Sequence, residues 1–186
     1  MEVRTNFTKT FKLWKACSND DARPVMEYVY FKDGYAYASD SHILVRVPLE
    51  ECSTFDDESR ALLDGCLIRG SVLKYIVGLG SVLVKKTDDG VVYLETEIGE
   101  NTIKIYLAKN GDILKYPNAE AILQSKAENA TTQKIGFNSK FIACLKDALG
   151  TDVLKFEITD EKHPVFVSPA NLPSNGIGVI IPYITD

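Results

Sequence analysis

The spacing of apolar positions changes from one stretch of this chain to the next. Across residues 5–18 the large apolar side chains Phe7, Phe11 and Trp14 fall at i, i+4 and i+7. That spacing predicts one face of an α-helix, with Thr5, Asn6 or Thr8 available to cap it. MEYVYF, YAYAS and ILVRVP follow, short alternating or continuous apolar runs that predict strands. Lys32-Asp33-Gly34 sets Asp-Gly at the centre of a hairpin turn between the first two. The succession then recurs. CLIRG predicts a strand, and residues 71–79 a helix with Ser71 as its cap. SVLVKKT, VVYLETE and NTIKIYL predict three strands, with turns at Asp88-Asp89-Gly90 and Gly99-Glu100-Asn101. It recurs once more: KIGF as a strand, then a helix over residues 139–149 capped by Asn138 or Ser139 and ended by Gly150. The strands VLKFEIT, PVFVSP and IGVIIPYI complete it.

Three copies of strand, helix and about three strands therefore succeed one another. Two polar stretches separate them, CSTFDDESR (52–60) and QSKAENATTQ (124–133), and the second is the best linker. The predicted organisation is one domain over 1–123, made of half-units at about 1–50 and 62–123, a linker at 124–133, and a third half-unit over 134–186. Strands outnumber helices and hairpin turns join them. The expected fold is α+β, with antiparallel sheets and a few helices packed on one face.

Composition changes this picture little. The apolar fraction is 45% and the charged fraction 25%, as in ordinary soluble domains. No apolar run approaches the roughly 20 residues of a membrane span. The first residues, MEVRTNFTKTFKLWKACS, lack the apolar core of a signal peptide, so a cytoplasmic location is expected. Cys17, Cys52, Cys66 and Cys144 show no metal or redox spacing. Each sits among apolar residues, as a buried free thiol would. A net charge of −5 gives no bulk attraction to nucleic acid, although a local basic stripe is compatible with it.

The stretch ASDSHILVRVP holds an aspartate, two serines and a histidine, the components of nucleophilic catalysis. Neighbours on a strand point to opposite faces, so Ser41 and His42 cannot meet there, and no G-x-S-x-G elbow occurs. His42 and His163, the only histidines, form no ligand set with recognisable spacing. Gly78-Leu79-Gly80 falls at the end of a helix, where glycine stops helices, whereas phosphate loops precede them. No catalytic site, metal or cofactor is expected, and the chain is read as a non-enzyme. Lys9, Lys12 and Lys15 recur at i, i+3 and i+6, either a solvated helix face or a phosphate-facing stripe. Lys74, Lys140 and Lys146 lie on the other two predicted helices, and Arg69 just before the second. At the end of the chain, alternation puts Val179, Ile181 and Tyr183 on one face and Ile180 on the other. Pro182 belongs at an edge or past the paired strand. This is a last core strand or, where exposed, the wall of a groove.

Three stretches together resemble the bacterial sliding clamp family, the beta subunit of DNA polymerase III. DARPVMEYVYFKDGYAYASDSHILVRVPL resembles a stretch in which an arginine precedes a strand and a Thr-Asp-Gly-His-Arg-Leu motif follows the hairpin; here that motif reads Ser39-Asp40-Ser41-His42-Ile43-Leu44. GDILKYPNAEAIL resembles the Gly-x-Phe-Pro-Asp-Tyr segment that closes the middle domain. KIGFNSKFIACLKDALGTDVLKFEITDEKHPVFVSP through IIPYI is similar to the final half-domain, with Ile181-Pro182-Tyr183 at a Met-Pro-Met ending. Residues 1 to about 123 then match the middle domain, and residues from about 134 the second half of the third.

The resemblance implies a DNA-clamp-like fold of three half-domain units and a role in DNA replication or repair. It implies an apolar pocket for short peptide motifs of replication or repair proteins, at Met26, Ser39, Ser41, His42, Ile43, Leu44, Pro117, Ile122, Val179, Ile181, Pro182 and Tyr183. It also implies a ring with helices towards duplex DNA, which gives Lys9, Lys12, Lys15, Arg23, Arg69, Lys74, Lys140 and Lys146 a DNA-facing role. An odd number of half-units leaves an open edge, so a homo-oligomer is expected. Ser41 stands where the motif has glycine, Ile43 where it has arginine and Tyr183 where it has methionine, so the peptide should differ from the family's usual one. A peptide-binding adaptor or decoy without DNA binding is the alternative.

Overall fold

The computed structural model describes residues 5–20, 22–41, 43–112, 114–124, 134–148, 151–160, 163–170 and 177–183, apart from the side chains of Ile122, Gln124 and Asp147. Over these residues the protein is α+β, with antiparallel sheets and few helices. The chain divides into two compact units, residues 1–125 and 126–186. His42, the helix stop at Gly150 and most of the expected linker, 125–133, lie outside the described residues.

In the first unit the apolar runs become a meander of β1 (Tyr28–Lys32), β2 (Tyr35–Ser39) and β3 (Leu44–Pro48). Asp33 and Gly34 both take positive φ, 50° and 77°, the two-residue turn that Asp-Gly favours. Two short helices follow, α1 (Leu49–Cys52) and α2 (Asp57–Leu62). The expected break at 52–60 therefore holds a helix start: Asp56 caps α2 by accepting from the Ser59 N–H at 2.8 Å. Next come β4 (Cys66–Arg69), α3 (Gly70–Ile76), β5 (Val82–Lys86), β6 (Val92–Ile98), β7 (Asn101–Tyr106), β8 (Ala108–Lys109) and α4 (Ala119–Gln124). They form a five-stranded sheet, β3-β2-β1-β4-β8, and a three-stranded sheet, β5-β6-β7.

Strand alternation sorts the five-stranded sheet into two faces. Val29, Phe31, Ala36, Ala38, Cys66 and Ile68 point into a core shared with Val82, Val84 and Leu94 of the other sheet and with Leu73 and Ile76 of α3. Tyr30, Tyr37 and Leu67 point the other way and are covered by Tyr116 and Ala119. Helices thus sit on both faces of this sheet rather than on one. The second face is too aromatic to be left in water, and the Tyr37 hydroxyl donates to Glu120 Oε2 of α4 at 3.1 Å.

The first expected helix does not form. Residues 13–16 make one 3₁₀ turn, Leu13–Ala16, and residues 5–8 are held by tertiary hydrogen bonds. The Val82 N–H donates to Thr5 O at 2.6 Å, the Thr8 N–H to Cys52 O at 2.8 Å, and the Thr54 N–H to Asn6 O at 2.8 Å. Phe7 stacks on Phe31 and meets Phe55 edge-on. Thr5, Asn6, Thr8 and Thr10 are weak helix formers, so the periodic apolar spacing yields to these partners. The second helix begins at Gly70, not Ser71, and Arg69 precedes it with no side-chain cap. A Cβ at Gly70 would meet Cys17 Sγ at 3.0 Å.

In the second unit α5 (Ser139–Ala148) is followed by β9 (Leu154–Glu157), β10 (Val165–Pro169) and β11 (Gly178–Ile180), ordered β11-β10-β9. Asn138 Oδ1 caps α5, accepting from the Lys140 N–H at 3.0 Å. Val165, Val167 and Ile180 form the core with Phe137, Ile142 and Leu145 packed against it. KIGF contributes an isolated bridge rather than a strand. The three meanders close alike. A residue ahead of each helical segment bridges antiparallel to one beyond the third strand: Phe7 to Ser53, Leu67 to Ala108, and Gly136 to Tyr183.

Candidate functional site

Met26, Ser39, Ser41, Ile43, Leu44 and Pro117 come together in the first unit around one cavity of about 550 Å³. Arg23, Tyr116 and Ala119 complete its lining. The chain builds it from four places. A 3₁₀ turn, Pro24–Glu27, supplies Met26, the end of β2 supplies Ser39, the loop into β3 supplies Ser41 and Ile43, and the segment before α4 supplies Tyr116 and Pro117. Ser41 takes φ +81°, a left-handed conformation that costs a side-chain-bearing residue about 1–2 kcal/mol. Its N–H donates to Ser39 Oγ at 3.1 Å, and the Ile43 N–H donates to Asp40 Oδ1 at 2.9 Å. The loop thus keeps the backbone a glycine would favour and turns Ile43 outward, 50% exposed.

α4 is held to β3 by charge. Arg46 Nη1 of β3 donates to both carboxylate oxygens of Glu120, at 3.0 and 2.9 Å, and its guanidinium lies 4.6 Å from the Tyr35 ring centroid. Burial, then the hydrogen bond to Glu120, raises the Tyr37 hydroxyl above its usual range. Tyr116 is buried with its ring 5.1 Å from that of Tyr30, and burial raises its hydroxyl too. That hydroxyl has no hydrogen-bond partner among the described residues, an orphaned polar group beside a mostly apolar cavity.

A second cavity of about 330 Å³ lies on the other side of β3, lined by Phe11, Lys12, Leu13, Lys15, Val45 and Val47 with Thr10, Ala16 and Ile43. Ile43 lines both. Sequence reasoning missed this site because it treated residues 5–18 as a helix.

The remaining expected pocket residues belong to the second unit or lie outside description. Val179 is exposed beside its cross-strand partner Phe166. Ile181 and Tyr183 are exposed as well, whereas Pro182 is buried on the opposite side with Ile180. Pro182 therefore does not share the exposed surface of Val179. β11 ends at Ile180, so this proline lies past the paired strand. His42 and the side chain of Ile122 are not among the described residues.

The expected DNA-facing residues do not make one helical stripe. Lys9 and Lys12 lie outside any helix and only Lys15 falls in the 3₁₀ turn, so the i, i+3, i+6 spacing defines no face. Arg23 lines the first cavity. Arg69 pairs with Glu27 at 3.2 Å and lies 5.6 Å from the Tyr28 ring centroid. Lys146 pairs with Asp152 at 3.0 Å. Lys74 on α3 and Lys140 on α5 are exposed.

Cys17, Cys52 and Cys66 are buried and free, and Cys144 is exposed, contrary to the burial its apolar neighbours suggest. Burial pushes the Cys17 and Cys52 thiols up to about 12 and that of Cys66 to about 11. Among the described residues no cluster of His, Cys, Asp and Glu is placed to hold a metal ion. No helix among them is long and apolar enough to cross a membrane. Compared with known proteins, the chain matches no protein-family model and no curated protein.

Proposed function

We propose that this chain is a non-enzymatic, sliding-clamp-like protein whose first unit binds short apolar peptide motifs of replication or repair proteins. The observation that carries this is the first cavity. Six residues expected from the sequence to line a peptide pocket share one cavity: Ser39, Ser41, Ile43 and Leu44 from a single stretch, with Met26 and Pro117 brought to it from elsewhere in the chain. Its apolar walls with a few polar groups suit a peptide side chain. The thrice-repeated closure of a three-stranded meander supports the clamp-like architecture.

Selection of binders from an unbiased 12-residue peptide library, followed by fluorescence anisotropy, tests this. Ile43→Asp, at an exposed position, should weaken the selected apolar peptides at least tenfold while circular dichroism stays unchanged. A library that yields no binder, or binders indifferent to Ile43→Asp and Met26→Lys, would refute peptide binding at this cavity.

For DNA, the charges favour the adaptor or decoy alternative. Arg69 and Lys146 are neutralised by neighbouring carboxylates, the lysine stripe is absent, and the net charge is −5. Salt-dependent binding to a duplex oligonucleotide separates the two. A DNA clamp should lose affinity when Lys9, Lys12 and Lys15 become glutamate, and an adaptor should not. The expected homo-oligomer is tested by native mass spectrometry at high concentration, where a monomer alone would remove the ring.

A further inference from the structure

We infer that the peptide binds as an added antiparallel strand on the open edge of β3, placing two consecutive apolar side chains in the two cavities on its opposite sides. This rests on the peptide-binding function proposed above. β3 ends the five-stranded sheet. The Leu49 N–H donates to Gly34 O at 2.8 Å, which fixes where the hydrogen-bonded pairs fall. In an antiparallel ladder bonded and non-bonded pairs alternate, so Ala36–Val47 and Ala38–Val45 are the bonded pairs of this register. The main-chain N–H and C=O of Val45 and Val47 therefore turn towards β2. Those of Leu44 and Arg46 turn away from it, to the open edge, where an extended chain can bond to them.

The side chains of β3 alternate in the same way. Leu44 lines the first cavity, Val45 and Val47 line the second, and Ile43 stands between them. Residues opposite one another across a ladder share a face. A guest residue opposite Leu44 therefore enters the cavity of Met26 and Tyr116, and its neighbour opposite Val45 enters that of Phe11 and Val47. The two must be consecutive, because successive side chains on a strand point to opposite faces.

Charge defines what flanks them. Arg23 at the first cavity and Lys12 and Lys15 at the second are exposed, and none forms an ion pair with a described residue. Three cations with no ion pair among the described residues, beside apolar cavities on a protein of net charge −5, complement a peptide with acidic residues on either side of its apolar pair. The guest is thus an extended acidic segment with two adjacent apolar residues.

The test uses the full chain and fluorescein-labelled peptides Glu-Glu-Ser-X-X-Ser-Glu-Glu, with X drawn from Leu, Ile, Phe, Met and Val. N-methylation at the X residue opposite Leu44 removes a ladder donor and should weaken the best member about tenfold or more. N-methylation at the adjacent X, whose N–H points away, should cost little. Lys12→Glu with Lys15→Glu should also weaken it about tenfold without moving the thermal midpoint. If neither or both N-methyl groups weaken binding equally, the peptide does not join the strand. If no array member binds while the unbiased library yields Ile43-dependent peptides, the strand inference likewise falls and cavity binding survives. Loss of duplex-DNA binding but not of peptide binding in the lysine variant would assign that rim to DNA and overturn the charge argument.

Discussion

Replacing Asn6 with alanine tests the account of why the amino-terminal segment is not a helix. Asn6 is buried. Its Nδ2 donates to Ile76 O at 3.0 Å and Gly80 O at 2.9 Å, with Leu79 O at 3.3 Å sharing the same two hydrogens. Its Oδ1 accepts from the Phe7 N–H at 2.7 Å. Three well-made bonds at about 1 kcal/mol net each give an expected loss of about 3 kcal/mol. The Ile76 carbonyl keeps the Leu79 N–H as a donor, which limits the additional penalty. Urea denaturation followed by Trp14 fluorescence reads this directly, since Trp14 is the only tryptophan and packs on the core of the first unit. Asn6→Asp sharpens the test. The carboxylate still accepts from the Phe7 N–H but turns its charge on three carbonyl oxygens, which raises its folded pKa. Its deficit should be at least that of alanine at neutral pH and shrink as pH falls through that raised value. A loss below about 1 kcal/mol for Asn6→Ala, or a gain in far-ultraviolet helicity, would refute the claim that these bonds override helix formation.

Tyr116→Phe removes an orphaned buried hydroxyl, so it should be neutral or stabilising by up to about 1–3 kcal/mol in chemical denaturation; a loss above 1 kcal/mol would mean the hydroxyl has a partner. With dithionitrobenzoate at pH 8 the native chain should yield one reactive thiol, Cys144, and four after unfolding, because Cys17, Cys52 and Cys66 are buried with raised pKa values; rapid modification of a second thiol in the native state would contradict their burial. Hydrogen bonding from Lys85, with Lys85 and Lys104 charges nearby, holds the Glu95 carboxyl below its usual range. Its contribution to stability should be full above the ordinary glutamate pKa and vanish as pH falls through the lowered one. Glu95→Gln should therefore flatten the acid limb of the stability curve, and an unchanged limb would show that this pair contributes nothing.

How much was legible follows from how local each signal was. The Asp-Gly and Gly-Glu turns, the strands they join and the helix over 139–148 are specified by adjacent residues, and they form close to where pattern places them. α2 hid inside a polar stretch because its evidence is a cap, Asp56 with Ser59, rather than an apolar face. α4 was hidden because Ala119, Glu120 and Ala121 have no periodicity, and its docking depends on Arg46 and Tyr37, more than seventy residues away in sequence. Phe7, Phe11 and Trp14 have the right spacing for a helix, yet Asn6 and Thr5 find partners near residue 80 that no local window contains. Six positions of the first cavity were legible through motif order. Tyr116 and Arg23 were not placed in the cavity, because nothing in KYPN or DARP alone says which way they turn.

The failed helix and the second cavity have one cause. A helix over residues 5–18 would have packed Phe11 with Phe7 and Trp14 on one stripe and kept Lys12 and Lys15 in solvent. Instead Asn6 and Thr8 anchor the chain beside Cys52–Thr54 and Gly80–Val82, and residues 9–12 run on without regular hydrogen bonds to the 3₁₀ turn at Leu13–Ala16. That path leaves Phe11 half-buried against the face of β3 that carries Val45 and Val47, with Lys12 and Lys15 at the rim. The tertiary hydrogen bonds of Thr5, Asn6 and Thr8 stand in for part of those a helix would make, and a concave apolar surface appears next to an open strand edge. Asn6→Ala should therefore weaken the acidic apolar peptides as well as the fold, even at temperatures where the native state remains fully populated. Exchange protection at Thr8 and Thr54, whose N–H groups donate to Cys52 O and Asn6 O, should fall first. A variant that loses stability but binds those peptides with unchanged affinity would separate the anchor from the cavity and sink this link.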